Sequence, residues 1–401
     1  MSAGRTSPVS QLSQRAMDAA AAPIRFLMQP RDLEHPDACD FMAGNPQELA
    51  LPEYVAALQA AIVPTSPAYF QYGPPPRRSV ERAAEALGAR LGLRLQPDDV
   101  FLTRGAASGL GTAMSTILDP GDEVIFLSPP WFFYETMIVA RGAKAVRVPL
   151  TRPGFDVDVS AVQAAITART RAMIVNTPNN PTGRVYTADN LRALAEVLTA
   201  ASTRNGRPIY LLSDEAYARI LFDGRRMITP GLFYQATFII HTYSKTLLAP
   251  SQRLGYMALA PGMPEAESVR AHIWRNSMLG GGFPDTGMAR ALPALEDLII
   301  DMPAIERRRD RVVDALRAMG YELNSPEGTF YVLVRSPIPD SGEFCARLAA
   351  QRVYALAGEA FEMPGWFRLS LTATDAMVDR SLPVFAAAIA EVGVPVVPAG
   401  T

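Results

Sequence analysis

Lys245 follows an apolar run within Thr242-Tyr243-Ser244-Lys245, and Arg253 stands eight residues later in Arg253-Leu254-Gly255-Tyr256. Upstream lie Asn176-Thr177-Pro178-Asn179-Asn180-Pro181-Thr182-Gly183 and Ser213-Asp214-Glu215-Ala216-Tyr217. A lysine by itself is most often a solvated surface charge. A lysine preceded by an asparagine loop and by an aspartate that ends an apolar run points to a different chemistry. The set supplies an amine for a Schiff base, a carboxylate for a protonated pyridine nitrogen and an amide for a phenolate oxygen. An amine that also moves protons must spend part of its cycle neutral, which desolvation beside cations favours. The aspartate keeps the ring cationic, and a cationic ring is a sink for carbanion electrons.

These side chains need a frame that delivers them to one place. Between residues 100 and 260, short apolar runs at 124–127, 172–176, 209–213, 238–242 and 254–260 alternate with helical spacing at 108–118, 188–202 and 156–167. That rhythm predicts an α/β fold whose mostly parallel sheet is covered on both faces. The residues capable of chemistry come just after the runs, at the carboxyl ends of strands, where open α/β sheets collect ligands. Helical spacing also marks 49–61 and 78–92, separated by the stiff loop Tyr72-Gly73-Pro74-Pro75-Pro76. After residue 301 the style changes. A charged helix at 305–319, a strand at 330–335, a helix near 342–351 and a strand at 367–371 predict a smaller α+β domain. The expected organisation is an N-terminal arm over 1–35, a large domain over 53–295, and a small domain built from 36–52 and 296–401.

Composition narrows the function classes. At 401 residues and 49% hydrophobic content the chain can bury a large core. Its net charge of −2 implies no polyanion-binding surface. The two cysteines, Cys39 and Cys345, have no metal or disulfide spacing, and the three histidines are scattered, so no metal site is expected. The first 30 residues, rich in Ala, Ser and Gln, contain no long apolar run and read as a loosely ordered arm; the tail 394–401 reads as frayed. The expectation is a soluble cytoplasmic protein that binds neither nucleic acid nor membrane.

The motifs, in this order from about Gly44 to Arg368, resemble the class I/II aminotransferases of the aspartate aminotransferase superfamily, fold type I of the pyridoxal-phosphate enzymes. The resemblance implies a seven-stranded sheet, pyridoxal 5'-phosphate as cofactor, and a homodimer with shared active sites. It implies Lys245 as Schiff-base lysine and base, Asp214 as partner of the ring nitrogen, and Asn180 and Tyr217 as donors to the ring oxygen. Arg253 then clamps the phosphate, with Thr242 and the loop Gly105-Ala106-Ala107-Ser108-Gly109, in which Ala106 and Ala107 act through their backbone and Ser108 opens a helix. Trp131, in Pro129-Pro130-Trp131-Phe132-Phe133-Tyr134, stacks on the ring. Tyr72 matches a tyrosine that reaches the phosphate of the neighbouring subunit. Arg368, in Phe367-Arg368-Leu369-Ser370-Leu371, matches the arginine that binds the substrate α-carboxylate, with Gly44, Asn180 and Trp131 alongside.

The chain departs from the pattern in places. Thr242 stands where serine is commoner, and Ser251 where Gly or Asn is usual. No counterpart is found for the arginine that reads a second carboxylate; Arg275 lies in roughly that stretch. The resemblance therefore implies transfer of an amino group from an apolar or aromatic α-amino acid to a 2-oxo acid in a ping-pong cycle. Other reactions of the same fold remain open: C–S lyase, decarboxylating synthase or amino-acid oxidase. A cofactor-binding transcription regulator is a further alternative, but it needs roughly 60–70 residues of basic helix-turn-helix ahead of the fold.

Overall fold

A computed structural model describes residues 8–280 and 282–392. Seven strands form the central sheet in the order Val100–Thr103, Gly255–Leu259, Thr237–Thr242, Tyr210–Asp214, Thr170–Asn176, Glu123–Ser128, Lys144–Pro149. Neighbours run parallel except Gly255–Leu259, which is antiparallel to both of its partners. The inner strands are apolar and buried along their whole length, as a sheet covered on both faces requires. This is the expected fold class. Two strands escaped sequence reading. Lys144–Pro149 is an edge strand with mostly exposed or half-buried residues. Val100–Thr103 is only four residues long.

Helices cover the sheet, and their ends are chemically marked. Thr187 caps Ala188–Asn205 by accepting from the Asn190 N–H, and Gly206 closes it in the left-handed region. The helix expected at 156–167 is shorter, Val159–Ala165, because Asp158 caps it by accepting from the Ala161 N–H. Ala266–Leu279 and Thr286–Leu295 complete the layer and were not foreseen.

A second, antiparallel sheet has the order Leu356–Ala357, Trp366–Ser370, Tyr331–Arg335, Leu323–Asn324. Helices Met302–Ala318, Ser341–Ala350 and Asp375–Glu391 accompany it. The early segment Cys39–Asp40 pairs in parallel with Val353–Tyr354, and the Ser370 N–H donates to the Phe41 carbonyl. The chain thus returns late to where it began.

The N-terminal segment corrects an expectation. It is not loose over its described part but forms helices Gln11–Ala19 and Ala21–Leu27, the first capped by Ser10. Ala16, Ala20, Pro23 and Phe26 bury one stripe, and the pair packs against Tyr134–Val139 and Gly358–Phe361. Small alanines at helical spacing bury a face without the bulk that composition registers. The tail expected to fray lies outside the described residues. No described helix is long and apolar enough to cross a membrane.

Candidate active site

The carboxyl edge of the large sheet gathers the chemistry. Asp214 ends its strand and pairs in register with Asn176, which ends the next strand. The Asn176 side-chain amide donates to the Asp214 carbonyl at 2.9 Å, and its oxygen accepts from the Asn180 N–H at 2.7 Å. One asparagine therefore fixes both Asp214 and the loop that bears Asn180. Thr242 ends a third strand and caps the short helix Tyr243–Thr246, which presents Lys245.

A cavity of about 270 Å³ opens at this edge. Its wall includes Gly44, Ala106, Ala107, Trp131, Asn180, Asp214, Tyr217, Thr242, Lys245, Arg253 and Arg368, all foreseen from the sequence. A larger cleft of about 750 Å³ beside Arg152, Asn324 and Trp366 contains none of them. Two expected residues lie apart. Ser108 lines a neighbouring cleft with Thr112 and Arg141, so its side chain does not face the cavity. Tyr72 is fully exposed and absent from the cavity wall of its own chain. Arg275 lies in a separate groove with Pro74 and Trp274.

Asp214 is 5% exposed, and burial raises its pKa above the ordinary aspartate value. Tyr134 Oη donates to its Oδ2 at 2.6 Å and the Ala216 N–H to its Oδ1 at 3.2 Å, both favouring the anion. No guanidinium or ammonium bonds to it among the described residues. A buried acid hydrogen-bonded only to neutral donors, with the Lys245 charge favouring its anion from a distance, stands at the wall of a cavity and is arranged to receive a further positive group.

At the opposite end the wall is cationic. Arg253 donates to Ser244 Oγ at 3.2 Å and to the carbonyls of Pro250 and Arg104, but to no carboxylate, so its charge is free for an anion. Helix Ala106–Ile117 starts beside it after Gly105, which has φ +80° and no side-chain cap, leaving the first N–H groups open. A Cβ on Gly105 would stand 2.7 Å from Arg253 Nη2 and 3.2 Å from Thr242 Oγ1, so glycine keeps this cradle empty. Guanidinium, helix N–H groups and hydroxyl together suit a phosphate.

Arg368 comes from the smaller sheet and is 2% exposed. It donates to Asn180 Oδ1 at 2.8 Å and to the Met42 carbonyl at 3.1 Å, and lies 3.8 Å from the Tyr331 ring centroid. Its Nε has no partner among the described residues. Because Arg368 takes the Asn180 oxygen, the Asn180 Nδ2 is the group left to donate into the cavity. Lys245 Nζ sits 5.9 Å and 5.7 Å from the Tyr217 and Phe330 ring centroids and pairs with no carboxylate among the described residues.

Several contributors were missed. Tyr134 was read only as part of an aromatic run, yet it stands three residues after Trp131 on the helix side facing Asp214. Tyr331, Ser244, Phe132 and Leu27 also line the cavity. The signal for Ser244 was its place beside Lys245; Leu27 and Tyr331 carried none.

The family model "Aminotransferase class I and II" matches residues 36–385. The aspartate/prephenate aminotransferase of Thermus thermophilus is 33% identical over 87% of this chain and 90% of its own length. The probable N-succinyldiaminopimelate aminotransferase DapC of Mycobacterium tuberculosis is 32% identical over 76% and 77%. Among solved structures, an amino transferase from Eubacterium rectale superposes with a TM-score of 0.85 at 26% identity, covering 96% of this chain and 97% of the other. The Thermus thermophilus aspartate aminotransferase with maleate gives 0.81 at 28%, covering 96% and 100%.

Behind Asp214 lies a second buried acid. Glu215 accepts from Ser213 Oγ at 2.8 Å and Thr229 Oγ1 at 2.5 Å, yet burial, with the Asp214 charge adding, raises its pKa from 4.5 to about 7. The folded state therefore holds a proton that the unfolded chain has released, so stability is fully present below about pH 4.5 and falls as pH rises through about 7. The predicted loss is on the order of 3 kcal/mol. Urea midpoints from pH 4.5 to 8 should show this slope in the wild type and a flatter one in Glu215→Gln; equal slopes would refute it.

Proposed function

The chain belongs to the class I and II aminotransferases, and from that premise we propose that it is a pyridoxal 5'-phosphate enzyme with a ping-pong cycle. One α-amino acid leaves its amino group on the enzyme and departs as its 2-oxo acid; a second 2-oxo acid then collects the group. The observation that carries this reading is one cavity wall bearing an amine, a buried acid with no cation bonded to it, and two guanidinium groups, Arg253 and Arg368, that bond to no carboxylate among the described residues.

The residues fit the cofactor, which when bound supplies a carbonyl carbon for the amine and a cationic ring that withdraws electrons from the substrate Cα. Arg253, the Thr242 hydroxyl and the N–H groups of Ala106, Ala107 and Ser108 would hold its phosphate; Ser108 contributes through its backbone. Asp214, kept in place by Tyr134 and Ala216, would hold the proton on the ring nitrogen. Asn180 Nδ2 and Tyr217 Oη would donate to the ring oxygen, and Trp131 would offer an aromatic face. Lys245 Nζ would hold the carbonyl carbon and, once freed, would be the base that takes the proton from the substrate Cα. Arg368 and the Gly44 backbone hold the α-carboxylate, so that the Cα–H bond is oriented before it breaks.

An apolar or aromatic donor is the favoured substrate. Leu27, Leu110, Trp131 and Phe132 line the cavity. Aspartate, named for several relatives, carries a second carboxylate that needs a further cation. In this chain the guanidinium groups at the wall are Arg253 and Arg368, and both are already assigned.

We further propose the division into a large unit over 53–295 and a smaller one over 36–52 and 296–401. The pairing of Cys39–Asp40 with Val353–Tyr354 and the contact of Arg308 with Glu48 support it. A homodimer with shared sites completes the reading. The full exposure of Tyr72, outside its own chain's cavity, supports a role in a neighbour's site.

Lys245→Ala should lose the visible absorbance change on addition of an amino acid and about 10²–10⁴-fold in turnover. Turnover at the wild-type rate would remove the lysine from its role. Mixing Tyr72→Phe with Lys245→Ala protein, then dissociating and reassociating the subunits, should give hybrids more active than either parent. Activity equal to the mean of the parents would mean self-contained sites.

A further inference from the structure

Lys245 is carried by a helix too short to hold itself. Tyr243–Thr246 is four residues long, and a single turn costs more in chain ordering than its own hydrogen bonds supply. Neighbours must set its place, and one stretch of chain grips it at both ends. At the first residue, the Tyr243 hydroxyl donates to Glu296 Oε2. At the last, the Thr246 carbonyl accepts from the Ile300 N–H at 2.9 Å. Glu296 and Ile300 lie in the short connection between helix Thr286–Leu295 and helix Met302–Ala318, where the chain leaves for the smaller sheet.

Glu296 is wholly buried. Its second oxygen, Oε1, accepts from Arg90 Nη1, and its carbonyl accepts from Arg219 Nη1 at 2.8 Å. Arg90 in turn donates to the Tyr256 hydroxyl at 3.0 Å. Tyr256 follows Arg253 closely in the chain, and the Tyr243 N–H donates to the Leu254 carbonyl at 3.1 Å. The segments that bear Lys245 and Arg253 are thus tied to one carboxylate. Tyr243, Glu296 and Arg90 take no part in the cavity wall; the Tyr243 and Tyr256 rings pack behind it with Leu87, Leu91 and Leu292. A molecule that enters the cavity therefore leaves these contacts in place. A buried ion pair seldom adds more stability than apolar side chains of the same shape, so this one calls for a role besides stability.

We infer that Glu296, paired with Arg90, is a positioning residue for Lys245: through the Tyr243 hydroxyl, and with the Ile300 N–H at the far end, it fixes the turn that aims the amine. This rests on the aminotransferase reading proposed above. A lysine side chain is long and flexible, so the reach of its amine depends on where its Cα stands and which way its turn faces. On that reading the amine must meet first a carbonyl carbon and then the substrate Cα–H, both from one backbone position. A displacement of about 1 Å can cost about 10²-fold in rate. Arg368, assigned to the substrate carboxylate, stands on the smaller sheet and bonds to none of Tyr243, Glu296 and Arg90. Loss of the clasp therefore slows the proton transfer at Lys245 and leaves the grip on the substrate unchanged.

Tyr243→Phe tests this, because it removes the hydroxyl and keeps the ring in its apolar cluster. Tyr234→Phe is the comparison. It deletes another buried phenol hydrogen bond, to the Ile209 carbonyl at 2.7 Å, at the opposite end of the strand from Asp214. Each full-length protein is loaded with pyridoxal 5'-phosphate and mixed with excess phenylalanine in a single turnover. Tyr243→Phe should lower the limiting rate roughly 10- to 10²-fold with the half-saturating phenylalanine concentration unchanged, and Tyr234→Phe should keep the wild-type rate. A readout apart from turnover is the circular dichroism of the visible band that forms when pyridoxal 5'-phosphate combines with Lys245. It should weaken in Tyr243→Phe, as the lysine's orientation spreads. Tyr243→4-aminophenylalanine keeps a donor to Glu296 and should restore both rate and dichroism. A wild-type rate or dichroism in Tyr243→Phe, an equal slowing in Tyr234→Phe, a loss carried by half-saturation, or no recovery with the amino variant would overturn the inference. If Tyr243→Phe does not fold, Glu296→Gln replaces it. Its amide oxygen stays with Arg90 and its amide N–H groups turn to Tyr243, so the phenol loses its acceptor and the same loss of rate is expected; an unchanged rate would again contradict the inference. Should Lys245→Ala retain turnover, the aminotransferase reading itself fails. Intact Lys245 dependence with an unslowed Tyr243→Phe removes only this inference.

Discussion

The Asp214 carboxylate is the constraint around which the site is built. It is an anion at the end of a buried strand, with a phenol and a backbone N–H as donors and no cation bonded to it. Leaving a buried carboxylate without a counter-charge costs several kcal/mol unless a cation arrives or a proton binds. Its raised pKa expresses that cost. The surrounding structure keeps the residue in place against it. Strand pairing fixes the backbone, Asn176 holds its carbonyl, and Tyr134 aims the side chain. A cationic ring bound in the cavity would relieve the cost, so the same interaction that weakens the empty fold would strengthen its grip on such a ring.

Two sheets then divide the recognition. On the proposed reading the larger one carries the groups for ring and phosphate, and the smaller one carries Arg368 for the substrate end. Asn180 joins them, with its backbone held by Asn176 and its side-chain oxygen held by Arg368. Arg368 and Asn180 are therefore not independent. A shift of the smaller sheet would disturb both, which on the proposed roles couples substrate grip to the cofactor ring through one amide. The N-terminal helices add an apolar wall, where Leu27 reaches the cavity.

Much of this was legible in the residues because strand-end chemistry follows the chain. Lys245, Asp214, Asn180 and Arg253 each come within a few residues of an apolar run, so local sequence predicts that they meet at one sheet edge. The long, wholly buried strands were equally plain. What stayed hidden depends on contacts between distant segments. Tyr134 and Asp214 are eighty residues apart, and nothing in an aromatic run tells which ring turns towards the acid. Tyr331 belongs to another sheet, and its place at the cavity wall over Arg368 emerges only in the folded chain. The helices at Gln11–Ala19 and Ala21–Leu27 were missed because alanine-rich stripes bury little area each and register as bland composition. Ser108 illustrates the reverse case, since a motif position fixes the backbone in the first turn of a helix without fixing where the side chain points.

The account turns on an amino group that stays with the protein between two substrates. The most direct measurement is a single half-reaction: protein loaded with pyridoxal 5'-phosphate, mixed with an excess of phenylalanine and no 2-oxo acid. Release of one equivalent of phenylpyruvate per subunit, then a halt, then resumption when a 2-oxo acid is added, is the predicted result. Continued release without an acceptor, accompanied by ammonia or peroxide, would contradict it.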